Sequence, residues 1–363
     1  MKFLTDLGLY LHIPFCLKKC AYCDFYSGIF TEEMLDKYTN ASIKSLKKWG
    51  GKLSRPINTL YLGGGTPSLL NHRLITILDA VRENFCVQDN AEITLEINPQ
   101  PNIETVLENA KKAGVNRLSI GAQSSDEQTL KILGRTHTPD DTKNAVKTAR
   151  KLGFSNISLD LMIGLPNSNL ETLKNDLDFL LSLKPQHISC YILKIEQNTA
   201  FYKLQNSLDL PDEDGVSDQY LFMCEYLKKN GFLHYEISNF CKEGMESKHN
   251  LKYWKCQEYL GIGPSAHSFI DEKRFFYPKD IKEFINGNEP VFESNGGETA
   301  EKLMLALRLS DGIETKNLPQ KALNKCELFA KNGLATIKNG NFALSDKGML
   351  VSNAIITEIL EVF

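Results

Sequence analysis

The chain has 363 residues, of which 42% are hydrophobic and 24% charged, with a formal net charge of −3, as in a water-soluble globular protein large enough for one big domain and a smaller one. The mildly acidic balance leaves no electrostatic footprint for nucleic acid or anionic lipid, and no apolar run approaches the roughly 20 residues that span a bilayer. Met1-Lys2-Phe3-Leu4 runs straight into Thr5 and Asp6 without the apolar stretch of a signal peptide, so a cytoplasmic location is expected.

In chain order, short apolar runs at 8–13, 59–62, 93–97, 117–120, 157–161 and 187–191 read as strands. Helical periodicity follows the first five, at 31–49, 69–85, 103–113, 126–133 with 140–152, and 170–183. An irregular stretch after the sixth leads to an amphipathic helix at 216–229. Strands alternating with helices predict an α/β fold with a parallel sheet and helices outside. Six units fall short of the eight that close a full barrel, so the fold class expected is a partial (β/α)6 barrel with its chemistry at the carboxyl ends of the strands.

The pattern changes near residue 295. Helices are expected at 298–309, 317–333 and 346–360, with a hairpin of 335–337 and 342–344 around the Asn339-Gly340 turn. This reads as a winged-helix-like α/β module, without the basic face that DNA binding needs. The expected division is a core domain over 1–235, a connecting region over 236–294 and a C-terminal module over 295–363.

Nine cysteines exclude complete disulfide pairing, and six of them (Cys86, Cys190, Cys224, Cys241, Cys256 and Cys326) are dispersed as small apolar residues. Cys16, Cys20 and Cys23 instead crowd into one loop after the first strand. Structural zinc would need a fourth nearby Cys or His, and His12 and His137 are poorly placed to supply it. Three thiolates on a four-iron cluster leave one iron open to another ligand.

Leu62-Gly63-Gly64-Gly65-Thr66-Pro67 follows the second strand. Its glycines either form an ordinary tight turn or let backbone groups approach a polar ligand. Glu96, Gln123 and Asp160 fall at or just beyond strand ends and Arg135 in Leu133-Gly134-Arg135-Thr136-His137; at each, a turn or cap role competes with ligand binding.

The spacing Cys16-x3-Cys20-x2-Cys23, with Tyr22 before the last cysteine, resembles the radical SAM superfamily. Tyr10-Leu11-His12-Ile13-Pro14-Phe15-Cys16, the glycine motif, Gly121-Ala122-Gln123-Ser124 and the segment from Asp160 to Pro166 narrow the resemblance. They are similar to the oxygen-independent coproporphyrinogen III oxidase family and its shorter relatives, the HemW heme chaperones. The resemblance implies a [4Fe-4S] cluster on the three cysteines, with S-adenosyl-L-methionine chelated at the open iron and cleaved there to a deoxyadenosyl radical. It assigns Tyr10, Tyr22, Gly64, Gly65, Thr66, Glu96, Gln123, Arg135 and Asp160 to S-adenosylmethionine.

Three features favour chaperone over oxidase. Phe25 stands where the oxidase has a fourth cysteine, only fifteen residues precede Cys16 where the oxidase carries a longer extension, and His249-Asn250-Leu251-Lys252-Tyr253-Trp254 matches the HNxxYW motif implicated in heme binding. By that resemblance His249, Tyr253 and Trp254 contact heme. An imidazole suits heme iron and aromatics suit a flat macrocycle, although from the residues alone a hydrogen-bonded histidine beside packing aromatics is the favoured reading. Ser247-Lys248 replaces the Cys-Arg usual before the motif. The function implied is heme delivery to recipient proteins such as respiratory enzymes, with peripheral membrane association through those partners, a homodimer and no nucleic acid. The competing expectation is coproporphyrinogen oxidation.

Overall fold

The computed structural model describes residues 6–363. Residues 1–5, on which the reading of a missing signal peptide mostly rests, lie outside the described residues. The six expected strand–helix units are present: β1 (Leu7–Ile13), α1 (Glu32–Gly50), β2 (Ile57–Gly64), α2 (Arg73–Asn84), β3 (Val87–Ile97), α3 (Ile103–Lys112), β4 (Arg117–Gln123), α4 (Glu127–Ile132), α5 (Pro139–Lys151), β5 (Asn156–Ile163), α6 (Leu170–Ser182) and β6 (His187–Ile192). The six strands pair in parallel in chain order.

Local chemistry sets these boundaries. Thr138 and Asp141 form a capping box ahead of α5, with Pro139 in its first turn. Glu32 and Glu33 open α1 while Lys47 and Lys48 close it, in keeping with the helix dipole. The helix expected over 69–85 is interrupted, because Asn71 takes a left-handed φ of 51° between a 3-10 turn at Pro67–Leu70 and α2.

Strand alternation separates two chemistries. Leu9, Leu11, Leu60, Leu62, Leu95 and Leu118 join the apolar core with the helices. The intervening positions carry Tyr10, His12, Tyr61, Glu96, Ser119 and Asp160, whose polar atoms hydrogen-bond one another inside the curved sheet.

Beyond β6 run α7 (Ala200–Leu204), α8 (Glu213–Lys229), β7 (Leu233–Glu236), β8 (Asn239–Cys241), α9 (Lys248–Trp254), β9 (Tyr259–Ile262), β10 (His267–Ile270), β11 (Lys273–Phe276), α10 (Ile281–Ile285) and β12 (Val291–Asn295). These strands extend the sheet to twelve, in the order β12-β11-β10-β9-β1-β2-β3-β4-β5-β6-β8-β7. The sheet is open, with antiparallel strands at both edges and β9 parallel to β1.

The C-terminal part holds α11 (Thr299–Ala306), β13 (Ile313–Glu314), α12 (Gln320–Lys331), β14 (Ala335–Lys338), β15 (Asn341–Leu344), α13 (Asp346–Leu350) and α14 (Ser352–Leu360). Asn339 and Gly340 both have positive φ, the conformation the hairpin turn requires. The closing helix expected over 346–360 is two helices meeting at Val351, so that Met349 and the Ile355, Ile356 and Ile359 row can both be buried. No helix among the described residues is long and apolar enough to cross a membrane.

Candidate cofactor site and an adjoining cavity

Cys16, Cys20 and Cys23 lie on the loop between β1 and α1, all unpaired and partly exposed. The loop is stitched to its surroundings by backbone bonds: Cys16 N–H donates to Gly28 (3.1 Å) and Ala21 N–H to Leu133 (3.0 Å). Burial pushes the Cys23 thiol up to about 11, and its neighbours Cys20 and Cys16 add to the rise. A cationic metal site would offset this cost.

One hydrogen-bonded chain runs beneath two of the sulfurs. Thr66 Oγ1 approaches Cys16 Sγ at 3.7 Å and Arg135 Nη1 approaches Cys20 Sγ at 3.6 Å. Asn98 joins these donors, giving its amide N–H to Thr66 (2.9 Å) and accepting from Arg135 (2.6 Å). Arg135 also donates to the Gly121 carbonyl at 2.7 Å. Asn98 was not among the residues expected at this site.

A cavity of about 360 Å³ extends from the three cysteines into the mouth of the curved sheet. Tyr22, Gly64, Gly65, Thr66, Glu96, Gln123, Arg135 and Asp160, all expected there, line it. Gly65 has no alternative: a Cβ would lie 2.5 Å from the Phe15 carbonyl oxygen. Its N–H donates to Ile13 (2.8 Å) and that of Thr66 to Phe15 (2.7 Å), fastening the glycine loop to the cysteine loop. Glu96 accepts from Tyr61 (2.9 Å) and from Gly64 N–H (3.1 Å), and Asp160 from Ser119 (3.1 Å). Desolvation, reinforced by the Asp160 charge, pushes Glu96 up to about 7. Desolvation also pushes Asp160 up to about 6. Such a site accepts hydroxyls readily and becomes a better host for positive charge as the carboxyls ionise.

Tyr10 does not line this cavity. It borders a second one, of about 410 Å³, with His12, Tyr253, Tyr259, Ser265 and His267. Phe25, Gly64 and Glu96 belong to both walls, so the two cavities adjoin. Of the HNxxYW residues, Tyr253 reaches the second cavity, whereas His249 and Trp254 line neither. His249 is 1% exposed, and burial drives its imidazole down to about 3, which keeps it neutral. Its Nδ1 lies 2.9 Å from Thr59 Oγ1 and its Nε2 2.8 Å from the Tyr253 hydroxyl. Trp254 lies under the Arg308 guanidinium at 5.9 Å. The N-terminus of α9 is held by Glu92, which accepts from the Lys248 and His249 N–H groups at 3.1 Å each. Thr59, Tyr61 and Glu92 carried no motif of their own; they alternate with apolar residues on β2 and β3.

The radical SAM superfamily model matches residues 10–180. The heme chaperone HemW of Escherichia coli (strain K12) is 41% identical over 270 residues, covering 74% of this chain and 71% of its own. That of Bacillus subtilis (strain 168) is 34% identical over 372 residues, covering 97% and 98%. Among solved structures, coproporphyrinogen III oxidase (HemN) from Escherichia coli has a TM-score of 0.83 across 98% of this chain and 90% of that one, at 22% identity, a likeness of fold. The chain belongs to the HemW heme chaperone family of the radical SAM superfamily.

Proposed function

We propose that this protein is a cytoplasmic heme chaperone that holds a [4Fe-4S] cluster on Cys16, Cys20 and Cys23, binds S-adenosylmethionine in the adjoining cavity, and carries heme to recipient proteins. The observation that carries the reading is the second cavity, walled by Tyr253 of the HNxxYW helix and separated from the cysteine cavity only by shared residues. When bound, the cluster supplies an open iron for the amino and carboxylate groups of S-adenosylmethionine. Thr66 and Arg135 donate toward the cysteine sulfurs, Glu96 and Asp160 accept from hydroxyl or ammonium groups, and Gly64 and Gly65 bring the backbone close. Tyr253 and Tyr259 present ring faces and edges to a flat macrocycle in the second cavity. Within this reading the core domain spans 1–235, the connecting region 236–294 and the C-terminal module 295–363. The recipients are respiratory enzymes, reached by a homodimer through peripheral membrane association.

Heme titration of the full chain tests the reading. A Soret band saturating near one heme per chain, weakened by Tyr253→Ala, is expected. Anaerobic assay with coproporphyrinogen III, reductant and S-adenosylmethionine is the counter-test. Turnover to protoporphyrinogen at a catalytic rate would replace the chaperone reading with the oxidase.

A further inference from the structure

Away from both cavities, among the described residues, one group of side chains gathers at single-ion spacing. Cys224, His234 and Asp346 each offer a ligand atom, all within 4.8 Å of one another. Cys224 comes from α8, His234 from β7 and Asp346 from the start of α13, so the trio joins the large sheet's domain to the C-terminal part. Cys224 and His234 are buried, and the Asp346 side chain is 27% exposed, which leaves one way in from solvent.

The histidine is already set in place. Phe240 stacks on its ring at 4.2 Å and 12°, and its Nδ1 meets Asp346 Oδ1 at 2.9 Å. Its Nε2 is buried with no hydrogen-bond partner. Lys228 Nζ donates to both Asp346 oxygens, at 2.7 and 2.6 Å. A hydrogen-bonded ion pair explains Asp346 and Lys228, but not the buried Cys224 sulfur within 4.8 Å of both a His234 nitrogen and an Asp346 oxygen.

We propose that Cys224, His234 and Asp346 form a zinc site that pins the C-terminal module to the core. Thiolate, imidazole and carboxylate together suit zinc, whereas magnesium and calcium prefer all-oxygen sets. A water completes the tetrahedron on the exposed side. Binding expels the Cys224 proton to solvent. The His234 proton moves from Nδ1 to Nε2, and the Nδ1–Asp346 hydrogen bond is replaced by two bonds to the ion. Lys228 keeps its hold on the second carboxylate oxygen. This site is independent of the heme reading.

The test uses the full chain with its iron–sulfur cluster reconstituted, equilibrated with zinc and desalted. Metal analysis should find about one zinc beside the cluster iron, and zinc K-edge absorption should show a single sulfur at about 2.3 Å among nitrogen and oxygen ligands. Cys224→Ala and the near-isosteric Asp346→Asn should each weaken zinc binding by more than the roughly 10–100-fold that an outer-shell partner is worth. Iron content and far-UV circular dichroism should stay unchanged. Zinc with three or four sulfur ligands would place it on the cluster cysteines and overturn the proposal. So would retention undiminished in both variants, or no zinc retained at micromolar free metal.

Discussion

The Tyr253 hydroxyl lies 2.8 Å from His249 Nε2 and stands between that imidazole and the second cavity. Thr59 holds the other ring nitrogen at 2.9 Å. On the proposed heme reading, the Tyr253 hydroxyl competes with an iron for His249 Nε2. Tyr253→Phe removes that competitor while keeping the ring. The expected result is a Soret spectrum shifted toward imidazole ligation and abolished in the Tyr253→Phe, His249→Ala double variant. An unchanged spectrum in both variants would leave His249 a purely structural residue.

His249→Ala carries a separate stability cost. Thr59 and Tyr253 lose a buried partner, and an unsatisfied buried polar group costs about 1–3 kcal/mol. Urea unfolding of the heme-free protein should show a loss at least of that size. Tyr253→Phe, which removes one hydroxyl beside a cavity, should lose less.

Asn98→Ala should disturb the cluster without touching a ligand. It unlinks Thr66 and Arg135, whose donors approach Cys16 and Cys20. Hydrogen bonds to cluster sulfurs raise reduction potential, so the variant's potential should fall. Asn98→Asp keeps the acceptor for Arg135 and should lie between the two. Protein-film voltammetry of the reconstituted chain reads the order directly.

The pH dependence follows from Glu96, pushed up to about 7, and Asp160, pushed up to about 6. The folded carboxyls hold protons that the unfolded chain has already released above its ordinary carboxylate range. Stability of the ligand-free protein is therefore greatest at and below that range, and falls as pH rises toward 6 and 7. Affinity for S-adenosylmethionine moves the opposite way, because its positive charges need ionised partners. Calorimetric titration at pH 5.5 and 7.5 should give tighter binding at the higher value, and Glu96→Gln should flatten the difference.

Gly65→Ala puts a methyl 2.5 Å from the Phe15 carbonyl oxygen. Neither backbone can yield without breaking the bonds that join the glycine and cysteine loops. Overpacking of this kind costs about 1–3 kcal/mol, and iron retained after reconstitution should drop with it.

Much of the lining of the first cavity was legible because its signals are local. The three cysteines fall within eight residues and the three glycines are consecutive, while Glu96, Gln123 and Asp160 each follow an apolar strand core. The second cavity was not legible in the same way. Its walls come from strands of four residues, such as β9, whose partner β1 lies some 250 positions away in the chain. Tyr10 sits on the same strand as His12, and period-two alternation sends both to one side; that side proved to be the second cavity. The α9 N-terminus shows the same limit. Its capping carboxylate, Glu92, is 156 residues from Lys248, and Ser247 makes no side-chain cap of its own.

β1 lies between β2 and β9 near the middle of the twelve-strand sheet; its Tyr10 and His12 border the second cavity, and its carboxyl end leads into the cysteine loop that lines the first. Fraying of this strand would release the cluster loop and the Tyr10 wall together. The two cavities are therefore joined in one opening unit. Amide exchange along β1, followed with each ligand added singly, should slow by the same factor throughout the strand, so that occupancy of either cavity protects the floor of the other.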